Sequence, residues 1–118
     1  MKPGTKKIIA KYRQLILVFT AMLAVMIVLF ATSAFGSGIS RDSVGYIAAA
    51  RSIAAGEGVL SYNGKPLVIQ PPLFPAVLAA ASAITGADAG PNARILNALL
   101  FGLIVYLSGR LFFDHFHP

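Results

Sequence analysis

Two long runs of apolar residues mark the pattern of the chain. The first run, 15–35, contains no charged residue. As a helix it would measure roughly 31 Å, which is the thickness of a bilayer's hydrocarbon core. The second run, 95–113, carries one charge, Arg110, near its far end, where a long side chain can reach the membrane interface. The pattern therefore predicts two transmembrane helices, at 15–35 and 94–113.

The intervening segment, 36–93, is mixed in character and predicts two short helices. Asp42 is a preferred N-cap residue, and the apolar residues after it recur on one helical face, so we expect a helix over 42–55. A cluster of prolines then leads into an apolar stretch, 75–85, that is too short to span a bilayer. We expect the helix over 42–55 to lie along the membrane surface, and the helix over 75–85 to be interfacial or buried against other helices.

Two further signals complete the predicted fold. Asn63-Gly64 lies between apolar residues, which favours a hairpin turn over 62–65. Pro91 and Asn92 are typical of a helix start, so the second transmembrane helix should begin just before Arg94. The predicted fold class is an all-α membrane protein, with two transmembrane helices joined by an outer loop that holds two interfacial helices and a candidate small β-hairpin.

Composition and charge support a membrane environment and give its orientation. Hydrophobic residues make up 57% of the chain and charged residues 12%, whereas a soluble domain carries about 25% charged residues. The net charge of +6 is concentrated before the first apolar run, at Lys2, Lys6, Lys7, Lys11 and Arg13. A basic flank of this kind stays on the cytoplasmic side. We therefore expect no nucleic-acid partner, a cytoplasmic flank at 1–14 and tail at 114–118, and an extracytoplasmic loop at 36–93.

The sequence gives only weak signals for a signal-peptide cleavage site and for a metal site. Thr32-Ser33-Ala34 offers small residues where a signal peptidase cuts, but a cleaved signal has an apolar core of only about 7 to 15 residues, so a retained helix is favoured. The chain has no cysteine, which excludes disulfides and thiolate metal sites. His115 and His117 have the spacing of a metal pair but lack further ligands, and we expect no metal site there.

The order of the loop motifs carries a resemblance that no single motif would carry. The motifs are Asp42 with Tyr46, Gly56-Glu57-Gly58, Asn63-Gly64, the prolines from Pro71 to Pro75, and Arg94 with Asn97. Together with the first apolar run, they are similar to the N-terminal portion of bacterial membrane glycosyltransferases of the GT-C type, family 39, which includes protein O-mannosyltransferases and the lipid A aminoarabinose transferase. The resemblance runs from Leu15 to Phe113.

This resemblance implies an activity and a location. Members of the family move a sugar from a polyprenyl-phosphate carrier to an acceptor at the outer surface of the bacterial inner membrane, with inversion. An acidic residue just after the first span acts as general base, and by position that residue is Asp42. The implied partners are membrane lipid, the lipid-linked sugar as donor and an acceptor glycan, lipid or protein, while any divalent metal stays open. Family members are several times longer, so we expect the chain to be part of a longer multi-span protein.

Three more residues are candidates for substrate binding, and each has a simpler alternative. Tyr46 lies one helical turn after Asp42 and would line the same cleft, or anchor the helix at the interface. Arg94 would bind the carrier phosphate through its two-pronged guanidinium, or act as a flanking charge. Glu57 is the reserve acid, or a solvated loop residue. Asp42 itself would cap its helix in the simplest interpretation.

The alternative function is a non-enzymatic two-span protein that serves assembly or interaction through its outer loop. The short length of the chain favours this class, whereas the acid, the Asn-Gly turn and the proline cluster, in that order, favour the enzyme. A soluble exported domain released by signal cleavage ranks last, because a second apolar run follows the loop.

Overall fold

The computed structural model describes residues 3–34, 36, 38 and 40–116, with side chains from 11 to 115 within those ranges. This part of the chain is all-helical, and no β-strand forms in it. Its contacts divide the chain into two units. We call them the helix pair, which contains α1 and the part of α4 from Asn97 onward, and the central unit, Thr32–Leu96. The four helices are α1 (Pro3–Ala31), α2 (Arg41–Ala54), α3 (Leu73–Thr85) and α4 (Ala89–Phe116).

The helix pair contains the two long apolar helices. The segments Lys11–Ala31 and Ala89–His115 are each long and apolar enough to cross a membrane. Many of their large apolar side chains are exposed, including Phe19, Phe30 and Leu111. Such a surface is typical of helices that contact lipid, because water would be expelled from it at a gain of about 25 cal/mol per Å².

Small residues allow α1 and α4 to approach closely within the helix pair. A side chain at Gly102 would collide with Val25, and one at Gly109 would collide with Leu17. The two glycines are seven residues apart and therefore lie on one face of α4. Close packing across glycines is a usual contact between membrane helices.

Polar contacts at one end of the helix pair join the same two helices. Gln14 Nε2 donates to the Tyr106 hydroxyl at 2.7 Å, and Arg13 pairs with Asp114 at 2.9 Å. Asp114 also lies 3.8 Å from Arg110, one turn earlier on α4. The predicted snorkelling arginine therefore has an acidic neighbour on its own helix.

Both long helices depart from their predicted bounds. α1 already begins at Pro3, within the predicted basic flank, and ends at Ala31, with turns over 32–34. Phe35, where the predicted span ends, lies outside the described residues. The predicted start of the second helix near Arg94 is wrong, because α4 begins at Ala89.

Asp88 accounts for the early start of α4. Its Oδ2 accepts from the Gly90 N–H at 3.3 Å, and its carbonyl accepts from the Asn92 N–H at 3.3 Å. A carboxylate in this place satisfies orphan N–H groups and favours the positive end of the helix dipole. Asn92 therefore lies inside α4 and is not the helix start.

The core of the central unit lies where α2 packs against α3. Its buried members are mostly alanines, which allow the helices to come close together. Leu78 is the largest side chain that is fully enclosed. The cluster contains Ala50, Leu78, Ala79, Ala89 and Ala93, and Ile47, Ile53, Phe74 and Leu96 pack against it.

The ends of α2 are set by capping groups on both sides. Ser40 is the N-cap, and its hydroxyl accepts from the Ser43 N–H at 3.2 Å. The predicted capping role of Asp42 is therefore wrong. At the other end Gly56 adopts φ +77°, and the Glu57 N–H reaches the Ser52 carbonyl at 3.0 Å. This pattern is a Schellman motif, in which glycine takes the left-handed position.

The predicted hairpin turn is present without a strand. Gly64 has φ +72°, and the Ser61 N–H donates to the Lys65 carbonyl at 2.8 Å. A single antiparallel bridge joins Leu60 to Pro66. The bonds from the Ser61 N–H to the Lys65 carbonyl and from the Leu67 N–H to the Val59 carbonyl flank this bridge, and the pairing does not extend into strands.

Candidate functional site

A groove of about 650 Å³ opens in the central unit beside the start of α2. One wall is polar and holds Asp42, and the other is formed by the apolar residues that lead to the proline cluster. The full lining comprises Arg41, Asp42, Gly45, Ser61, Tyr62, Asn63, Lys65, Pro66, Leu67, Val68, Ile69 and Gln70. The groove thus combines charged, hydrogen-bonding and apolar surfaces in one place.

Gln70 holds the carboxylate of Asp42 inside this groove. Its Nε2 donates to Asp42 Oδ1 at 2.8 Å. Gly45, on the next turn of α2, leaves the space in which the amide lies, since a Cβ there would come within 2.9 Å of Gln70 Oε1. An ionised carboxylate has about four acceptor positions, so one donor orients Asp42 without using up its capacity to accept a proton.

Two cations stand beside Asp42 on the same groove. Arg41 precedes it on α2, and Lys65 comes from the turn; both are exposed. An anionic group entering the groove would meet these two positive charges. The apolar wall of Leu67, Val68 and Ile69 suits the hydrocarbon part of the same ligand. The groove therefore fits an amphipathic anion better than a purely polar molecule.

Tyr46 is directed to a different contact. Its ring packs edge-to-face on Phe74, with ring centroids 5.5 Å apart and an angle of 76° between the planes. This pair joins α2 to the proline-rich start of α3, and such aromatic pairs contribute about 0.5–1.5 kcal/mol beyond their burial. Tyr46 does not belong to the groove lining. Its predicted binding role stays a prediction, and the structure gives the ring a packing role.

Glu57 lies at the opposite end of α2 from Asp42. The two acids are fifteen positions apart, and the helical part between them, 42–54, alone spans roughly 18 Å. Glu57 receives a long hydrogen bond of 3.5 Å from the Ser52 hydroxyl. It borders a second cavity of about 480 Å³, together with Arg51 and Tyr62. The structure therefore does not bring the reserve acid to Asp42.

Arg94 joins the two ends of the central unit. Its Nε donates to the Thr32 hydroxyl at 2.8 Å, although the two residues are 62 positions apart in sequence. The side chain is half-buried on the second turn of α4. It is absent from the groove around Asp42, so its predicted role in phosphate binding stays a prediction.

An ion pair between Arg51 and Asp88 in the central unit was not predicted from the sequence. Arg51 Nε donates to Asp88 Oδ1 at 2.8 Å, and its Nη2 donates to Oδ2 at 2.6 Å. The hydrogen bond from the guanidinium, with help from the Gly90 and Ala89 N–H groups, holds the pKa of Asp88 well below its ordinary value. The same bond raises the pKa of Arg51. The pair fastens α2 to the cap of α4.

A buried amide forms a second unpredicted network. Asn92 is 4% exposed, and its Nδ2 lies within hydrogen-bond distance of Ser82 Oγ, Thr85 Oγ1 and the Ala87 carbonyl. The sequence contained two signals for the Arg51–Asp88 pair and the Asn92 network. These were the balanced charges in the loop and the polar residues around the α3–α4 turn. Their pairing depends on the packing of α2, α3 and α4 together.

A search for metal sites and comparisons with known proteins identify no further residue of the site. Among the described residues, no group of three His, Asp or Glu side chains is placed to hold a metal ion. His117, the second histidine of the tail, lies outside the described residues. No family model, curated protein or solved structure matches the chain.

Proposed function

We propose that this chain is the N-terminal segment of an inverting membrane glycosyltransferase that uses a polyprenyl-phosphate sugar as donor. The proposal rests on the motif order of the sequence. One structural observation supports it: Asp42 is not needed as a helix cap and lies in an open, amphipathic groove, where Gln70 orients it. A carboxylate with this freedom is suited to accept a proton from a ligand.

The chemistry assigned to the groove is a single displacement. The acceptor hydroxyl attacks the anomeric carbon of the donor, and its proton passes to the Asp42 carboxylate. A new carbon–oxygen bond forms on one face while the bond to the phosphate oxygen breaks on the other, so the configuration inverts. The polyprenyl phosphate leaves with the bonding electrons. General-base assistance of this kind is worth about 10²–10⁴ in rate.

Cations near the groove would serve the phosphate of the donor. Arg41 and Lys65 border the groove itself, and guanidinium and ammonium groups both bind phosphate strongly. Arg94 is the phosphate ligand proposed from the motif order. The apolar wall at Leu67–Ile69 would accept the first part of the isoprenoid chain.

This function requires that the two long apolar helices span the membrane and that the central unit faces outward. Their length and composition meet the first condition, and the basic residues before the first run favour the second. The proposed location is the inner membrane of a bacterium, with the N-terminus in the cytoplasm.

The test replaces the base without removing its volume or polarity. Asp42→Asn is introduced into the native gene, beside a deletion strain and the matched carboxylate-to-amide control Asp114→Asn. Lipid-linked sugars and envelope glycans are measured by mass spectrometry. We expect Asp42→Asn to reproduce the deletion strain, with accumulated donor and a lost sugar modification, while Asp114→Asn resembles the parent. An Asp42→Asn strain that matches the parent while the deletion strain differs would exclude the catalytic role and favour a non-enzymatic protein.

A further inference from the structure

An apolar ridge projects from the central unit between the hairpin turn and α3. It consists of Val68, Ile69 and Leu73, which are 87%, 95% and 74% exposed. Pro71 and Pro72 lie within it and fix φ at two successive positions, so the backbone of the ridge is stiff. Isolated exposed apolar residues are common, but three within six positions on a stiff segment form a patch that calls for a partner.

α3 continues this apolar surface. The helix contains no charged residue. Pro75, Leu78 and Ala79 are buried on one side, whereas Val77 and Ile84 are exposed together with Leu73. These three exposed positions are four and seven residues apart and therefore share one face. A helix that is apolar all round is normally covered on every side, so the outer face of α3 also needs a non-aqueous neighbour.

The charges beside the ridge favour a lipid surface as that neighbour. Arg41 and Lys65 border the same groove as Val68 and Ile69, with Asp42 as the one carboxylate in that lining. Basic side chains next to exposed aliphatic ones are typical of elements that lie in the interface of a bilayer with anionic lipid headgroups.

The connectivity of the chain is a second, independent reason to expect a lipid surface beside the ridge. The central unit is continuous at one end with α1 and at the other with the remainder of α4, and both helices are long and apolar enough to span. If they span, the unit is tethered to the bilayer at both ends. Its local concentration at the lipid surface then far exceeds that of any soluble partner.

We propose that the ridge inserts into the boundary of the bilayer, with Arg41 and Lys65 at anionic headgroups. Because Val68 and Ile69 are also a wall of the groove, the insertion would place the mouth of the groove at the lipid surface. A membrane-borne ligand could then enter it without crossing water. The inference concerns the surface of the unit and stands whether or not the groove transfers a sugar.

The test uses the absence of tryptophan from the chain. Ile69→Trp introduces a single fluorescent reporter into a side chain that is almost fully exposed. Ala55→Trp is the matched control, an exposed position at the far end of α2 from Arg41. The full chain is reconstituted in bilayers that contain phosphatidylglycerol, with or without bromine on the acyl chains, and iodide is added as a water-phase quencher.

We expect the indole of Ile69→Trp to be quenched by the brominated chains and protected from iodide, with emission at shorter wavelength than in the control. The control should respond less to bromine and more to iodide than Ile69→Trp does. Two results would overturn the proposal. Quenching of Ile69→Trp by iodide alone would show a ridge in water, and quenching by neither agent would show a ridge covered by protein.

The charge contribution is tested in the same reporter. Lys65→Gln removes one cation near the headgroups, and a basic residue at an anionic surface is worth about fivefold in the equilibrium constant. From bromine quenching of Ile69→Trp we calculate the ratio of inserted to withdrawn ridge. We expect Lys65→Gln to lower that ratio by about this factor in phosphatidylglycerol bilayers and to leave it unchanged in phosphatidylcholine. An equal loss in both lipids would contradict the headgroup contact.

Discussion

The Gln70 amide donates to the Asp42 carboxylate at 2.8 Å, across 28 positions of sequence. The bond connects the first turn of α2 to the residue that precedes the proline cluster. Because Gly45 leaves the space for that amide, three residues from two motifs of the chain define the geometry of one carboxylate. The contact also gives the proline-rich segment a fixed position beside α2.

Gly45→Ala separates the stability of α2 from the geometry of Asp42. Alanine in place of a helical glycine should stabilise the helix by up to about 1 kcal/mol. The new Cβ would nevertheless displace the Gln70 amide, which it approaches to 2.9 Å. We expect thermal unfolding in detergent to stay at or above the wild-type temperature, while the Gln70 side-chain amide signal in the ¹⁵N NMR spectrum moves.

Gln70→Leu is the matched variant for that experiment. It removes the hydrogen-bond donor to Asp42 without changing α2. When Gly45→Ala is added to this variant, it should not change the geometry of Asp42 any further. An unmoved Gln70 amide signal in Gly45→Ala would show that the hydrogen bond does not hold in solution.

The Arg51–Asp88 pair predicts a loss of stability in acid. The folded state lowers the pKa of Asp88, so the ionised carboxylate stabilises the protein fully above its unfolded pKa of about 4. That contribution is lost as the pH falls through the lower folded value. Both side chains are about half exposed, so solvent screening limits the pair to about 0.5 kcal/mol, and the capping bonds add about 1 kcal/mol.

Two substitutions separate the pair from the cap. Asp88→Ala removes the pair and the capping oxygens, so it should lower the free energy of unfolding by about 1.5 kcal/mol at pH 7 and flatten its dependence on pH below 4. Arg51→Gln removes the pair alone and should cost about 0.5 kcal/mol. Denaturation in detergent at several pH values measures both, and an unchanged acid slope in Asp88→Ala would exclude Asp88 as the titrating group.

The buried amide of Asn92 should matter more to stability than any exposed polar residue of α4. Asn92→Ala leaves its partners around the α3–α4 turn without their donor, at a cost of about 1–3 kcal/mol. Asn97→Ala is the control, because Asn97 is exposed on the same helix. Equal unfolding temperatures for the two variants would show that the network contributes nothing.

The packing of the helix pair can be read out by cross-linking, since the chain has no cysteine of its own. Gln14→Cys with Tyr106→Cys replaces two long side chains whose tips hydrogen-bond at 2.7 Å. Because such side chains leave the two backbones farther apart than a disulfide spans, we expect a flexible bis-maleimide to form the cross-link. Gly102→Leu should reduce its yield, because a side chain there collides with Val25. Ser108→Leu is the control at an exposed position of α4. A yield unaffected by Gly102→Leu would contradict the close approach of the helices.

Periodicity and composition were sufficient for the helical elements. The all-helical class and the two long apolar helices are confirmed, and α2 lies one residue earlier at each end than the predicted 42–55. These features depend on local pattern and on helix length. The predicted hairpin is reduced to one bridge, between Leu60 and Pro66.

The contacts that position the site residues could not be predicted from one sequence. Ser40 and Asp42 are both good capping residues, and only the backbone decides that Ser40 takes the role. The bonds of Asp42 to Gln70 and of Arg51 to Asp88 join residues far apart in sequence. Such pairs follow from the packing of α2 on its neighbours, which no local pattern encodes.

The proposed topology places Asp42 on the outer side of a membrane that α1 and α4 span. Asp42→Cys provides the only thiol in the chain, and Lys11→Cys is the control on the predicted cytoplasmic side. A membrane-impermeant maleimide is applied to spheroplasts before and after permeabilisation. We predict that Asp42→Cys is labelled at once and Lys11→Cys only after permeabilisation. The reverse order, or release of the protein from membranes by carbonate, would contradict this topology.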